Sequence, residues 1–191
     1  PLTEPPPPVD TTKYIMDQLK VLCPLTLYFH NDEPDPKTKT IITKKNYKKT
    51  YEDYIVLKPK YYQEYPAGLK DDDKLQAEDR LTNFFEDSVD AGMQDLEKFA
   101  KLMEEVLARG EKVKITMKGY CSPLASTDYN VNLAKRRISS LRNYFTEYKG
   151  GIFTKYINTE DSTKNRLLLT DVEIGELPKS IVSDDVKDVK N

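Results

Sequence analysis

From Leu81 to Leu107 the apolar residues recur at steps of three and four: Leu81, Phe84, Phe85, Val89, Met93, Leu96, Phe99, Met103, Val106 and Leu107. That spacing predicts a long amphipathic helix, kinked or split at Asp90 and Gly92 and stopped by Gly110. At Val113 the period drops to two. Val113, Ile115 and Met117 alternate with Lys112, Lys114 and Lys118, which predicts a strand with one buried face, closed by Gly119. A helix follows, capped by Thr127 or Asp128, with Leu133, Leu141, Phe145 and Tyr148 on one side and Gly150–Gly151 at its end. Leu167 to Ile174 supply another strand. Upstream, Asp10, Thr11 or Thr12 caps a short helix through Leu22. Leu25, Thr26, Leu27, Tyr28 and Phe29 then form a compact β-prone run between Pro24 and the polar cluster from His30 to Pro36, and this run reads as a buried strand.

The order strand, long helix, strand, helix, strand predicts an α/β fold, a βαβαβ core with helices packed on one sheet. Strands one and two are expected to be parallel, because a helix-length connection joins them. Cys23 and Cys121 then lie at opposite ends of the sheet, too far apart for a disulfide, and two free thiols are expected. Four consecutive prolines, Pro5 to Pro8, make residues 1–9 a polyproline-like linker. Between Lys37 and Lys60 the chain carries eight lysines against two acidic residues. Tyr47, Tyr51 and Tyr54 follow helical spacing there, Pro59 ends the stretch, and Tyr61, Tyr62 and Tyr65 follow. Residues 37–73 therefore read as a helical insertion after the first strand, packed on the main domain through its tyrosines. As an elaboration on a complete core, its excision is expected to leave the framework folded, though less stable. The domain is expected to span 10–182, with 183–191 a polar tail or a truncated end.

Composition changes this picture mainly by exclusion. With 38% hydrophobic, 32% charged and 10% aromatic residues, the chain is too apolar and aromatic to be disordered. A net charge of −2 gives no global attraction to nucleic acid or anionic membranes. No apolar run approaches the roughly 18 residues of a membrane span. Two cysteines and a single histidine, His30, build neither a disulfide framework nor a zinc site, and Ser122 lacks a nucleophile-elbow setting. A non-catalytic chain without cofactor or metal is the expectation.

Within the helix after Gly119, Leu133, Arg137, Leu141, Tyr144 and Tyr148 share one side, so Arg137 lies in the middle of an apolar stripe. A guanidinium in that position must meet a carboxylate, backbone carbonyls or a ligand. Arg136 points to the flank and reads as a solvated neighbour. The lysines and tyrosines of 37–73 are the rival surface, whether as a packed cover, a protein-binding face or, least in favour, a nucleic-acid site.

Gly119-Tyr120-Cys121-Ser122 followed by Tyr129-Asn130-Val131-Asn132-Leu133-Ala134-Lys135-Arg136-Arg137 resembles the OmpA-like peptidoglycan-binding domain, in which a strand ending in Gly-His-Thr-Asp precedes Asn-x-x-Leu-Ser-x-x-Arg on a helix. The aromatic run before His30-Asn31-Asp32, the long preceding helix, and Gly175-Glu176 with Pro178 extend the likeness over most of 24–178 outside 37–73. The resemblance implies a periplasmic module, tethered to the outer membrane of a Gram-negative bacterium, that anchors an outer-membrane protein or lipoprotein to peptidoglycan. The family's Asp and Arg grip the ammonium and carboxylate of diaminopimelate in the stem peptide. The Arg role falls to Arg137, whose planar fork suits a carboxylate, and Asn130 shapes the same turn. Ser122 stands where the family has Asp, so a charge for the ammonium would come from Asp32 or Asp128. The expected ligand contacts are thus Arg137, Asn130, Ser122, Cys121, Asp128, Asp32 and Asn31. The alternative is a degenerate scaffold of the same fold that binds a protein partner in the cell envelope. The family's final strand, Asn-x-x-Arg-Arg-Val-Glu, has no counterpart in residues 183–191.

Overall fold

The computed structural model describes residues 10–121, 126–157 and 165–176. Helix α1 (Thr11–Val21) starts as its sequence dictates: the Asp10 side chain accepts the Lys13 amide at 3.1 Å, and Ile15 and Leu19 face inward. Helix α2 (Tyr47–Val56) is capped in the same way by Asn46. Helix α3 (Lys58–Glu64) carries Pro59 in its first turn. There the missing N–H costs nothing, so Pro59 opens a helix as well as separating it from α2.

Helix α4 (Asp71–Phe84) passes through one wide π-helical turn (Phe85–Asp90) into α5 (Ala91–Ala108). Ala77, Leu81, Phe85, Val89 and Met93 are all buried, four residues apart. On an ideal α-helix each such step drifts by about 40°. The extra residue of the π turn offsets that drift and keeps the stripe on one face. The break expected at Asp90 and Gly92 is therefore a change of pitch, and the helical run continues through it.

Strand β1 (Val113–Cys121) and strand β2 (Leu167–Glu176) form a parallel pair, with Val113 opposite Leu167 and a bulge between Gly119 and Tyr120. Helix α6 (Thr127–Glu147) connects them and packs on both. Its N-cap position is Ser126, one residue before the expected Thr127 and two before Asp128, and the Ser126 side chain makes no capping bond. A short 3-10 turn at Tyr148–Gly150 and helix α7 (Thr154–Ile157) follow, and Gly150 and Gly151 both have positive φ, as their place at the helix end requires. The chain is thus a mixed helix-and-strand fold. Among the described residues, no helix is long and apolar enough to cross a membrane.

Several expectations change. Leu25–Phe29 forms no strand: it pairs with neither β1 nor β2. It lies across the helical layer, where a Cβ on Gly92 would come within 2.6 Å of the Thr26 carbonyl oxygen. Gly119 does not close β1, which continues to Cys121. A Cβ there would meet the Ala134 carbonyl oxygen at 2.6 Å, so Gly119 is the point where α6 crosses the strand most closely. The cysteines are both free thiols, Cys23 exposed and Cys121 buried.

The main core gathers α1, α5, β1, α6 and β2 around Met103, Leu96, Phe99, Phe145 and Leu167. Tyr47, from 37–73, is fully buried in it, and its hydroxyl donates to the Tyr28 carbonyl at 3.2 Å. A second cluster joins Tyr54 to Leu81, Phe85 and Val89, with Tyr28, Tyr61, Tyr62 and Tyr65 packed around it. The tyrosines of 37–73 thus pack as their spacing predicts, and one of them belongs to the main core.

Candidate functional site

The residues singled out around Arg137 converge where the end of β1, the loop after Phe29 and the first turns of α6 meet. Arg137 donates from Nε to the Glu33 carbonyl at 3.1 Å and from Nη1 to the Tyr120 carbonyl at 2.6 Å. Its guanidinium lies 5.1 Å from the centre of the Phe29 ring. Of the partners open to it, then, Arg137 meets backbone carbonyls, and it bridges the 30–36 loop to the strand end. Burial lowers its pKa from the ordinary arginine value, opposed by the nearby Cys121 and Asp32. It stays a cation at any physiological pH. The second N–H of Nη1 and both of Nη2 make no hydrogen bond among the described residues.

Arg136 overturns the expectation of a solvated flank: its exposure is 0%. Nε donates to the Pro34 carbonyl at 3.0 Å, and Nη1 donates to the carbonyls of Thr38 and Thr40 at 3.1 and 2.7 Å. Nη2 lies 3.4 Å from the Tyr129 hydroxyl and 3.9 Å from Asp32 Oδ1. The physical reason is the 32–40 loop. It has no regular structure, so its carbonyls lack ladder partners, and a guanidinium fork satisfies three of them at once. Periodicity in α6 cannot reveal this, because the loop lies about a hundred residues away and carries no period of its own.

Asp32 is committed to the same loop. Its Oδ2 accepts the Lys37 amide at 2.9 Å, and its Oδ1 accepts the Tyr129 hydroxyl, which also receives the Lys37 amide at 3.1 Å. Burial and the adjacent carboxylate push the Tyr129 phenol above its ordinary pKa. Asp32, Asp35 and Lys37 all sit at positive φ, so this is a tightly wound turn held from outside by Arg136 and Tyr129. Tyr129 was not among the sequence-derived candidates, and only its place within the motif hinted at it.

The remaining candidates separate. Cys121 is 2% exposed and packs with Leu133 and Ala134; its thiol donates to the Asn130 carbonyl at 3.2 Å. It belongs to the packing beneath the site and does not line it, a correction that follows from the strand running two residues past Gly119. Asn130 is likewise buried, at 2%. Asn31 and Asp128 are exposed. Ser122 lies outside the described residues.

His30, expected as a polar residue at a strand end, enters the tyrosine cluster. Its Nδ1 is 2.8 Å from the Tyr61 hydroxyl, and its ring packs against Tyr54 and Tyr61. Burial lowers its pKa from 6.5; Glu33 opposes the shift, while Lys60 and Arg137 reinforce it. Among the described residues no group of three or more His, Cys, Asp or Glu side chains is placed to hold a metal ion.

Comparison of the chain with protein-family models, with curated proteins and with solved structures gave no match.

Proposed function

We propose that the chain is a non-catalytic cell-wall-binding module of the OmpA-like kind, periplasmic, anchoring an outer-membrane protein or lipoprotein through the peptidoglycan stem peptide. On this reading Leu25–Phe29 is the counterpart of the family's first strand, drawn out of the sheet, and β1, α6 and β2 are the second half of a βαβαβ core. The observation that carries the proposal is the pose of Arg137. Two carbonyls fix its Nε and one N–H of Nη1, which leaves the Nη1/Nη2 end of the fork for a carboxylate of diaminopimelate. Sedimentation with purified sacculi tests it. Arg137→Ala removes a charge-assisted pair worth about 1.5–3 kcal/mol and is expected to weaken binding at least tenfold. Folding of the variant is checked by circular dichroism. Ser122→Asp restores the family's acid and is expected to strengthen binding.

One observation favours a second reading. Asp32 is spent on Lys37 and Tyr129, and both donors of Arg137 that are engaged tie loop to strand. That is how a degenerate scaffold, binding an envelope protein instead of cell wall, would use these residues. Sacculus binding that is absent in the wild type and in Ser122→Asp would favour this second reading over the first.

A further inference from the structure

The parallel pair of strands has two outer edges, and they are treated differently. On the outer side of β2, Arg142 Nη2 reaches the Leu169 carbonyl at 3.4 Å and pairs with Asp171 at 2.6 Å. On β1 the phase of the ladder is set by the Val113 amide, which donates to the Arg166 carbonyl at 2.7 Å. Parallel strands bond through alternate residues, so Val113, Ile115 and Met117 aim their N–H and C=O groups at β2. Lys114, Thr116 and Lys118 aim theirs the other way, and none of these backbone groups has a hydrogen-bond partner among the described residues. This open edge ends at Tyr120, whose carbonyl is taken by Arg137.

The side chains along β1 say what would complete it. Lys114, Thr116 and Lys118 are exposed on the outer face, and the two lysines make no ion pair among the described residues. On the inner face Met117 is buried, while Val113 and Ile115 pack on the core only half-buried. A strand added here fits best if its side chains alternate. Apolar ones would lie beside Val113 and Ile115, and acidic ones, four residues apart, beside Lys114 and Lys118. A second copy of β1 does not meet that need. With Thr116 opposite Thr116, lysine faces lysine in either direction, a repulsion by which edge strands avoid pairing with themselves.

We infer that the open edge of β1 is a strand-addition site for an extended, acidic segment of a protein partner. Main-chain hydrogen bonds to Lys114, Thr116 and Lys118 supply the attachment, and the two lysines select acidic side chains at a four-residue spacing. Arg137 closes the edge at Tyr120 and takes no part in the pairing. The site therefore stands whether or not the Arg137 fork binds cell wall.

Hydrogen exchange followed by NMR on the full chain tests the assignment, with the acetylated and amidated peptide Val-Glu-Val-Thr-Val-Glu-Val as probe. In the free chain the amides of Lys114, Thr116 and Lys118 are expected to exchange rapidly, and those of Ile115 and Met117 slowly. The peptide is expected to bind saturably, in the millimolar range or tighter, and near saturation to slow the three edge amides about tenfold. Of two forms N-methylated at alternate residues, only the one that keeps the N–H groups facing β1 is expected to bind. The double variant Lys114→Glu, Lys118→Glu is expected to lose the acidic peptide and to bind its counterpart with Lys in place of Glu, which also shows that the variant is folded. Slow exchange of the edge amides in the free chain would mean that another part of the chain already covers the edge, and would overturn the inference. Absence of saturable binding, binding of both N-methylated forms, or an unchanged peptide preference in the double variant would overturn it equally.

Discussion

Arg136 and Arg137 are adjacent in sequence and hold different carbonyls of one loop. Arg136 takes the carbonyls of Pro34, Thr38 and Thr40, and Arg137 takes that of Glu33. Truncating Arg136 leaves three carbonyls without donors, that of Pro34 in a buried bond and those of Thr38 and Thr40 in part-buried ones, and Arg136→Ala is expected to cost about 3 kcal/mol in urea unfolding. Arg136→Lys is expected to recover little of this, because a compact ammonium cannot span carbonyls that a planar fork reaches. His30 makes a different contribution. Its folded pKa is lower than the unfolded value near 6.5, so the unfolded chain takes up a proton first as the pH falls. The associated stability is complete above that value and declines as the pH drops from 6.5 towards the lowered folded value. His30 is the only histidine. The decline in unfolding free energy between pH 7.5 and 5.5 should therefore be visibly smaller in His30→Gln than in the wild type.

At the scale of the elements, two glycines set how closely the layers approach. Gly92 lets α5 sit against the Thr26 carbonyl, and Gly119 lets β1 sit against the Ala134 carbonyl. Both are in ordinary negative-φ backbone, so alanine would be tolerated locally and even favoured within a helix. The cost lies entirely in contact with a neighbouring backbone oxygen 2.6 Å away, which cannot rotate aside as a side chain can. Gly92→Ala and Gly119→Ala are each expected to destabilise the fold by about 1–3 kcal/mol, read as a lowered denaturation midpoint at unchanged slope. A Gly92→Ala variant as stable as the wild type would mean that Leu25–Phe29 does not rest on α5.

At the scale of the molecule, residues 37–73 tie the two clusters together. Tyr47 fills the main core, Tyr54 and Tyr61 pack around Phe85, and Thr38 and Thr40 satisfy Arg136. Read as an elaboration, this segment would be dispensable. With those contacts in view, joining Asp32 to Asp72 through a short Gly/Ser bridge is expected to abolish cooperative unfolding, since it opens a cavity the size of a tyrosine and strands a buried guanidinium. A cooperative transition in the shortened chain would show that the helices and the two strands suffice.

The sequence by itself determined what is local. The three- and four-residue period from Leu81 to Leu107 placed the end of α4 and the length of α5, though not the π turn between them, and the two-residue period placed β1 with Met117 inward and Lys114 and Lys118 outward. Asp10 capped α1, and Gly110, Gly150 and Gly151 stopped helices, because a cap or a positive φ is settled within a few residues of chain. Even the demand on Arg137 was legible, since a cation on an apolar stripe must be met by something. What met it was not. The tertiary structure decided that Leu25–Phe29, β-prone in composition, lies unpaired against a helix, because strand formation needs a partner edge that propensity cannot supply. It decided which arginine is buried, because the carbonyls that hold Arg136 come from a loop more than ninety residues away.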